Sequence, residues 1–574
     1  MSQKIANKVV ETDVLVIGGG IVGCTAAWKA VEHGLNVALI EKSKPERSGK
    51  TGQGMDEIGI FPGRDGVTTL DALKLYLGGR GPSSLRAANR VLDPNVLYRI
   101  FDNALWALDE MERMGVSMRY VDGEFGWMPY GSYPDGEPGP LIELRVHWHN
   151  VKPEMASAIR KIGVKVFERT MVVDLLTNNG KVVGATAVNT RTAEFMTFKA
   201  KAIVLGTGDF SRHYNPSPPP CWKYKMAYNN CPASAAGDGH AVAFRAGADI
   251  TRTETMQPAI VRDEILLQPG QFYLNDGISG KTFNWKGEEI SRPEGPLEYL
   301  QYFNKGMVPL YQTLEHLPDD FQKRLEIHIM DETPLRLKLH EDRGFNPGKH
   351  WYQVAGNRGS HVLSGGIVID ENFQTTLKGV YAGGECSEAC GIGAGGALTA
   401  GMSIGENIHR YVSTASEPVI DKAMVEHQKR MALAPLSVKD GTVPMELECS
   451  IRSICEEFAG PIKTEGMLRE GLRRLNSLKR VFLPKLMAVN PHFLMRCMEV
   501  RNILDLAEVH FKTALERRET RSGSSKSQFI RLDYPENDPS LDNKHFCVRM
   551  ENGKTMIEVK EVPQLKQEYA KEKN

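Results

Sequence analysis

Cysteine is scarce here and poorly spaced for metal chemistry. The chain has 574 residues and nine cysteines (24, 221, 231, 386, 390, 449, 455, 497 and 547), an odd number with no Cys-x-x-Cys pair. That pattern argues against a disulfide framework, and against a zinc ribbon or iron–sulfur cluster held within this chain. Cys386 and Cys390 read as small residues near a ligand rather than as metal ligands. Few, scattered thiols fit a reducing, cytoplasmic setting. Long apolar runs are missing too, and none approaches the roughly 20 residues needed to span a bilayer. Residues 1–12 are polar and lack a hydrophobic signal region or twin arginine, so no export signal is read. Net charge is also absent. Lys+Arg and Asp+Glu each number 71, which points to neither a polyanion nor a membrane surface as partner. There is no internal repeat and no low-complexity tract.

What is present starts at Asp13-Val-Leu-Val-Ile-Gly-Gly-Gly-Ile-Val-Gly23. Residues 14–17 form a short β-branched run that reads as a buried strand. Gly18, Gly20 and Gly23 then supply the GxGxxG pattern. The first glycine permits a tight turn, the second lets backbone approach a pyrophosphate, and the third lets a helix pack on the strand. A helix is expected over residues 25–33 and a second strand over 36–40, delivering Glu41 18 residues after Gly23. A carboxylate at that place accepts hydrogen bonds from a ribose 2′-OH. Strand, glycines, helix, strand and acid in one unit predict a dinucleotide site, where a lone GxGxxG would not.

Lys42, next to Glu41, is expected to contact the same cofactor, and the loop Pro45-Glu-Arg-Ser-Gly-Lys-Thr-Gly-Gln-Gly54 offers it Ser48, Gly49, Gln53 and Gly54. Helices are expected at 69–78, 95–114 and 151–162, with 118–145 an irregular insertion over a site. Strands are expected at 165–169, 171–177, 182–189 and 202–205, the last ending at Gly206-Thr-Gly208. Residues 209–350 differ: after a helix at 237–246 they become proline-punctuated, aromatic-rich and weakly periodic. The α/β character returns over 361–405, three- and four-residue apolar spacing marks a helical region over 419–518, and Asn552-Gly553 marks a possible hairpin. The expected organisation is α/β. A Rossmann-type nucleotide domain (1–236 and 356–415) is interrupted by an α+β capping domain (237–355), then followed by a helical domain (416–518) and a C-terminal extension (519–574).

Three blocks together resemble the flavoprotein subunits of the fumarate reductase/succinate dehydrogenase family. They are the GxGxxG…Glu41 unit, Ala202-Ile-Val-Leu-Gly-Thr-Gly208 and Gly379-Val-Tyr-Ala-Gly-Gly-Glu385. The resemblance extends to Glu519-Thr-Arg521…Arg531-Leu-Asp-Tyr-Pro535 and so covers most of the chain. In motif detail, Arg47-Ser-Gly-Lys-Thr-Gly-Gln-Gly54, Gly359-Ser-His361 and Gly247-Ala-Asp-Ile250 look most like the alpha subunit of adenylylsulfate reductase. The resemblance implies FAD in an extended pose: Glu41 on the adenosine ribose, Gly18 to Gly23 on the pyrophosphate, Glu385 on the ribityl chain, with the turn ending at Gly208 on the FAD side. It also implies that Ala397 and Leu398 open a helix whose N–H groups face the flavin pyrimidine. Succinate dehydrogenases and quinol fumarate reductases attach FAD to a histidine after Arg-Ser; here Gly49 follows Ser48, implying non-covalent FAD. The family's dicarboxylate-binding arginine is missing as well. Gly393-Ala394 stands in its place, and no arginine lies between Arg358 and Arg410, which weighs against succinate or fumarate.

His361 matches the family's substrate-side histidine, and a neutral-range pKa suits an acid/base or anion-binding role; a hydrogen-bonded structural histidine is the bland alternative. His147-Trp-His149-Asn150 is the densest polar–aromatic cluster. Its histidines, two apart, suit substrate contact better than metal, since no carboxylate or cysteine accompanies them. Arg262 and Arg358 are available to an oxyanion, while Tyr228 and Trp222 stack on substrate or flavin, or simply pack. Arg521 and Arg531 are expected to pair with Glu519 and Asp533. His361, His149 and Arg262 are thus the catalytic candidates; His147, Asn150, Tyr228 and Arg358 are the substrate-binding ones. No second dinucleotide motif suggests NAD(P), so electrons are expected to pass to or from a protein. The resemblance implies an iron–sulfur subunit or ferredoxin-like carrier within an oligomer. Three functions compete: an adenylylsulfate reductase-like catalytic subunit, an ene reductase or dehydrogenase acting on a C=C bond, and a flavin-bearing electron-transfer subunit without a substrate pocket.

Overall fold

A computed structural model describes residues 7–52, 54–78, 91–120, 123–129, 139–148, 150–213, 232–262, 281–291, 301–316, 330, 338, 340–346, 349–363, 365–389, 392–460, 462–521 and 529–570. Its centre is a seven-stranded sheet ordered Lys165–Phe167, Val37–Ile40, Asn7–Ile17, Phe195–Leu205, Lys181–Asn189 and Thr170–Asn178, with Val380–Ala382 also paired to Phe195–Leu205. The half around Asn7–Ile17 is parallel, and the ends of its central strands, residues 14–17, 37–40, 202–205 and 380–382, are apolar and buried, as coverage of both faces requires. Lys181–Asn189 and Thr170–Asn178 add an antiparallel hairpin whose turn holds Asn179 and Gly180 at positive φ. Phe195–Leu205 is one long strand that serves both halves.

The register decides where the site lies. Ile17 is opposite Ile40 and Leu205, and Ala382 is also opposite Leu205. Four strands therefore end together, and the loops leaving them share one edge of the sheet. These loops carry Gly18 to Gly23, Glu41, Gly206 to Gly208 and Gly383 to Glu385. In a doubly wound sheet this is the ligand-binding crevice.

Several elements differ from expectation. The helix after the glycine loop begins at Ile21 rather than at 25, because Gly20 itself serves as N-cap. Residues 95–114 form two helices, Pro94–Asp102 and Ala104–Arg113, broken at Asn103. The insertion expected to be irregular contains the strands Gly126–Pro129 and Leu141–Trp148, which pair with each other, and the second also pairs with Met55–Ile60. Aromatic rings and bulged pairing hide the two-residue alternation there.

Met256–Arg262 and Tyr352–Leu363 pair in a five-stranded antiparallel sheet. The expected boundary at 355/356 falls inside the second of these strands. Gly366–Ile367 then joins Ile250–Thr251 and the C-terminal hairpin Lys544–Glu551/Lys554–Glu561. The helices Lys422–Leu433, Pro444–Phe458, Glu465–Val481 and Pro491–Glu516 pack around Ile451, Leu475, Val500 and Phe511 in a second apolar core that they share with Val173, Phe195 and Phe244 of the nucleotide fold. Arg521 pairs with Glu519 at 2.7 Å and Arg531 with Asp533 at 2.8 Å, as expected of the segment that closes this domain. No described helix is long and apolar enough to cross a membrane.

Candidate functional site

The glycines of the first loop divide by what surrounds them. A Cβ on Gly18 would lie 2.5 Å from the Gly206 carbonyl oxygen, and one on Gly23 would lie 1.8 Å from the Gly18 oxygen. Both contacts are with backbone, so neither position accepts a side chain. Gly20, Gly49 and Gly208 are the reverse. A Cβ on Gly208 meets nothing within 4 Å, and those on Gly20 and Gly49 come no nearer than 3.5 and 3.9 Å to anything. The tight glycines hold strands and helix together, and the open ones leave bare backbone along the crevice. A flat, extended dinucleotide requires such a bare backbone path.

The helix Ile21–Glu32 has no acidic residue in its first turn and no side-chain cap. Its free N–H groups and dipole thus favour an anion from outside the helix. Glu41 is buried at the end of the second strand. Its Oε2 accepts from the Gly19 N–H at 2.7 Å and its Oε1 from the Ser43 N–H at 2.7 Å. Both oxygens are anchored from the backbone, which orients the carboxylate and leaves lone pairs for ribose hydroxyls. Ser48 donates to the Gly19 carbonyl at 3.3 Å and so ties the second loop to the first. Gly49 and Gly54 both have positive φ. Glycine loop, anion-favouring helix start and anchored acid fit the FAD that the sequence implies.

Farther along the crevice, Lys50 lies between two acids, 2.6 Å from Glu385 and 3.2 Å from Asp209. Desolvation pushes the Glu385 carboxyl up, Lys50 draws it back and Asp209 adds to the rise. Glu385 thus lies on the crevice edge, clamped by Lys50, a residue that no sequence motif singles out. Cys386 and His240 are buried behind the crevice. The Cys386 thiol is pushed up to about 11 by burial. His240, in the helix Asp238–Arg245, is pushed down to about 3, chiefly by burial.

Two cofactor assignments need correction. Lys42 directs its ammonium to Asp238 and Glu499, each at 2.7 Å, and to the Ser234 carbonyl at 2.9 Å. These contacts use all three of its N–H donors, so it ties the nucleotide fold to the helical domain instead of facing the cofactor. Glu499 is shared with Arg212 and Arg496, and both arginines also reach Glu448, with contacts of 2.7–2.8 Å. The second correction concerns Ala397 and Leu398. The helix they were expected to open begins at Gly393, so its free N–H groups belong to residues 393–395. A Cβ on Gly395 would lie 2.3 Å from the Ile58 carbonyl oxygen, so this glycine lets the helix start pack against the strand Met55–Ile60.

On the substrate side, the backbone brings three candidates onto one ribbon. Arg262 is opposite Val354 and Arg358 is opposite Ala259. Ser360 is opposite Pro258 and Val362 is opposite Gln257, which leaves His361 as the extra residue of a bulge. Bulges commonly re-aim side chains beside active sites. The ribbon leads to Gly366–Ile367, where the Ile367 carbonyl accepts from the Glu388 N–H at 2.9 Å, three residues past Glu385. His147 belongs to a different sheet. It ends the strand Leu141–Trp148 with its ring stacked on Tyr120, centroids 5.7 Å apart. Asn150 is exposed and precedes the helix Val151–Lys161 without capping it by its side chain. His149, Gln53, Tyr228 and Trp222 lie outside the described residues. Among the described residues no group of three His, Cys, Asp or Glu is arranged to hold a metal ion.

Comparison with known proteins places these features in a wider group. The FAD binding domain profile matches residues 13–262 and 285–404, and the fumarate reductase flavoprotein C-terminal profile matches 449–572. A fumarate reductase (CoM/CoB) polypeptide of Methanothermobacter marburgensis is 23% identical, over 92% of this chain and 95% of its own length. L-aspartate oxidase of Yersinia pestis is 24% identical, over 92% and 96%. The solved structure of adenylylsulfate reductase from Archaeoglobus fulgidus has a TM-score of 0.82 at 23% identity, covering 98% of this chain and 97% of that one. The E. coli quinol fumarate reductase flavoprotein scores 0.76 at 21% identity, covering 99% and 100%. At these identities the structural likeness is one of fold.

Proposed function

Since the chain belongs to the FAD-binding fumarate reductase flavoprotein family and is an FAD-dependent oxidoreductase, we propose that it is a catalytic subunit of the adenylylsulfate reductase kind. It moves electrons between a substrate that is not a C4 dicarboxylate and a separate protein carrier. One observation carries this reading: Gly393-Ala394, at the start of the helix Gly393–Val412, stands where the dicarboxylate-binding arginine is expected, and no arginine lies between Arg358 and Arg410.

FAD supplies the two-electron chemistry when bound. The chain's own residues would do the remainder. Glu41 and the glycine loop hold the adenosine and pyrophosphate, and the Lys50–Glu385–Asp209 clamp fixes the crevice wall beside the ribityl chain. The uncapped start of the helix Gly393–Val412 offers N–H groups that favour negative charge. His361, Arg358 and Arg262, on the ribbon that runs toward Glu388, are the groups for proton transfer and anion binding. His147 and Asn150, next to the strand Leu141–Trp148, would contact the substrate, and the sequence adds His149 and Tyr228 to the candidates for that contact. With no cluster motif in this chain, the electron carrier is an iron–sulfur subunit or ferredoxin-like protein. Substrates with a C=C bond bulkier than fumarate suit the same site, because the glycine-lined helix start leaves room where an arginine would stand.

Ligand-induced changes in the bound flavin's absorption test the reading. Adenylylsulfate or AMP should perturb the spectrum saturably, and fumarate and succinate should not. Saturable perturbation by the dicarboxylates, with none by the nucleotides, would refute it.

A further inference from the structure

A buried cation stands directly beside the glycine loop. Lys152 lies in the first turn of the helix Val151–Lys161 and is fully buried. Its ammonium donates to the Gly19 carbonyl and lies 4.0 Å from the Cys24 sulfur. Among the described residues no carboxylate is within ion-pair reach of it. The nearby acid Glu41 has both oxygens engaged by the Gly19 and Ser43 N–H groups. Burying a charge without a counter-ion is costly, and such charges persist where something compensates them.

The Gly19 peptide groups are held from both sides. Glu41 takes the N–H at 2.7 Å, while Lys152, Ser48 at 3.3 Å and Cys24 at 3.4 Å converge on the carbonyl oxygen. Three donors on one carbonyl turn its negative end away from the crevice. The next residue, Gly20, is the N-cap of Ile21–Glu32, the uncapped helix start that favours an anion.

We propose that Lys152 is the counter-cation of the FAD pyrophosphate, acting as a positioning residue through the Gly19 peptide. The ammonium keeps the Gly19 carbonyl out of the crevice and supplies positive charge behind the loop. The compensating negative charge arrives with the cofactor. This inference depends on the FAD site and is independent of which substrate is reduced.

The test measures FAD retention by the holoprotein dialysed against decreasing free FAD, with ADP and adenosine as competitors. Lys152→Gln keeps a neutral donor for the Gly19 carbonyl, Lys152→Arg keeps the charge and Lys152→Met keeps neither. Lys152→Gln and Lys152→Met are expected to weaken FAD and ADP by about tenfold or more, the scale of a charge-assisted hydrogen bond. Adenosine, which lacks the pyrophosphate, should compete as it does in the wild type, and Lys152→Arg should restore most of the FAD affinity. If Lys152→Met does not fold, the Gln and Arg variants decide the matter alone. FAD affinity within about threefold of wild type in Lys152→Gln, or equal losses for ADP and adenosine, would overturn the proposal. A wild-type protein that retains no FAD would instead overturn the cofactor assignment beneath it.

Discussion

His510 offers a stability prediction whose size follows from its surroundings. The ring is buried in the helix Pro491–Glu516, with Nδ1 2.7 Å from the Thr253 carbonyl oxygen. Burial, with Lys463 and His213 nearby, pushes its pKa from 6.5 down to about 3. The unfolded chain therefore binds a proton as pH falls below 6.5 while the folded chain does not, so stability rises with pH across this window. The contribution is fully present above about pH 6.5 and is lost progressively on acidification toward pH 3. At pH 5 the loss is about 2 kcal/mol, and across the full window about 5 kcal/mol. Other groups titrate in the same range: burial lowers His213 to about 4 and raises Glu388 to about 7, with opposite effects on stability. Substitution isolates the single term. His510→Gln keeps a donor for Thr253 and carries no charge at any pH. Urea unfolding of both FAD-saturated proteins at pH 7.5 and 5 is the assay. The wild type should lose about 2 kcal/mol more than the variant between these pH values. Parallel losses would refute the claim that this histidine is held neutral by burial.

Gly23→Ala should yield protein with little or no bound flavin absorbance, because its Cβ would lie 1.8 Å from the Gly18 carbonyl oxygen and no side-chain rotation relieves a backbone clash. Arg212→Met removes one cation from the buried pair Glu448 and Glu499, and should cost about 3–5 kcal/mol in urea unfolding. Denaturing the holoprotein in acid should release its flavin to the supernatant, since Gly49 holds the place of the family's attachment histidine; flavin that stays with the precipitate would contradict this.

Local features of this chain could be read from the sequence, and partners distant in sequence could not. The turn glycines, the strand ending at Ile17 and the acid ending the next strand are fixed by neighbours within a short stretch, so their chemistry is written in spacing. Lys42 sits beside Glu41 in sequence and looked like part of the same site. Its actual partners, Asp238 and Glu499, are some 200 and 450 residues away, and no local pattern announces them. The same holds for Lys50 between Glu385 and Asp209, and for Lys152 beneath Gly19. The helix at 393 was placed too late for another reason. Glycine-rich runs are read as loops by propensity, whereas here Gly395 and Gly396 let the helix pack against the strand Met55–Ile60 and its own preceding turn. In the insertion, bulges in both strand pairs erased the alternation that marks a sheet.

The proposed function rests on Gly393-Ala394 standing where the family's dicarboxylate-binding arginine is expected. The direct test is anaerobic: reduce the bound flavin, then follow its reoxidation after rapid mixing with fumarate, a bulkier enoate or adenylylsulfate. The missing arginine predicts rapid reoxidation by adenylylsulfate or the enoate, and no acceleration by fumarate. Rapid, saturable reoxidation by fumarate would contradict it.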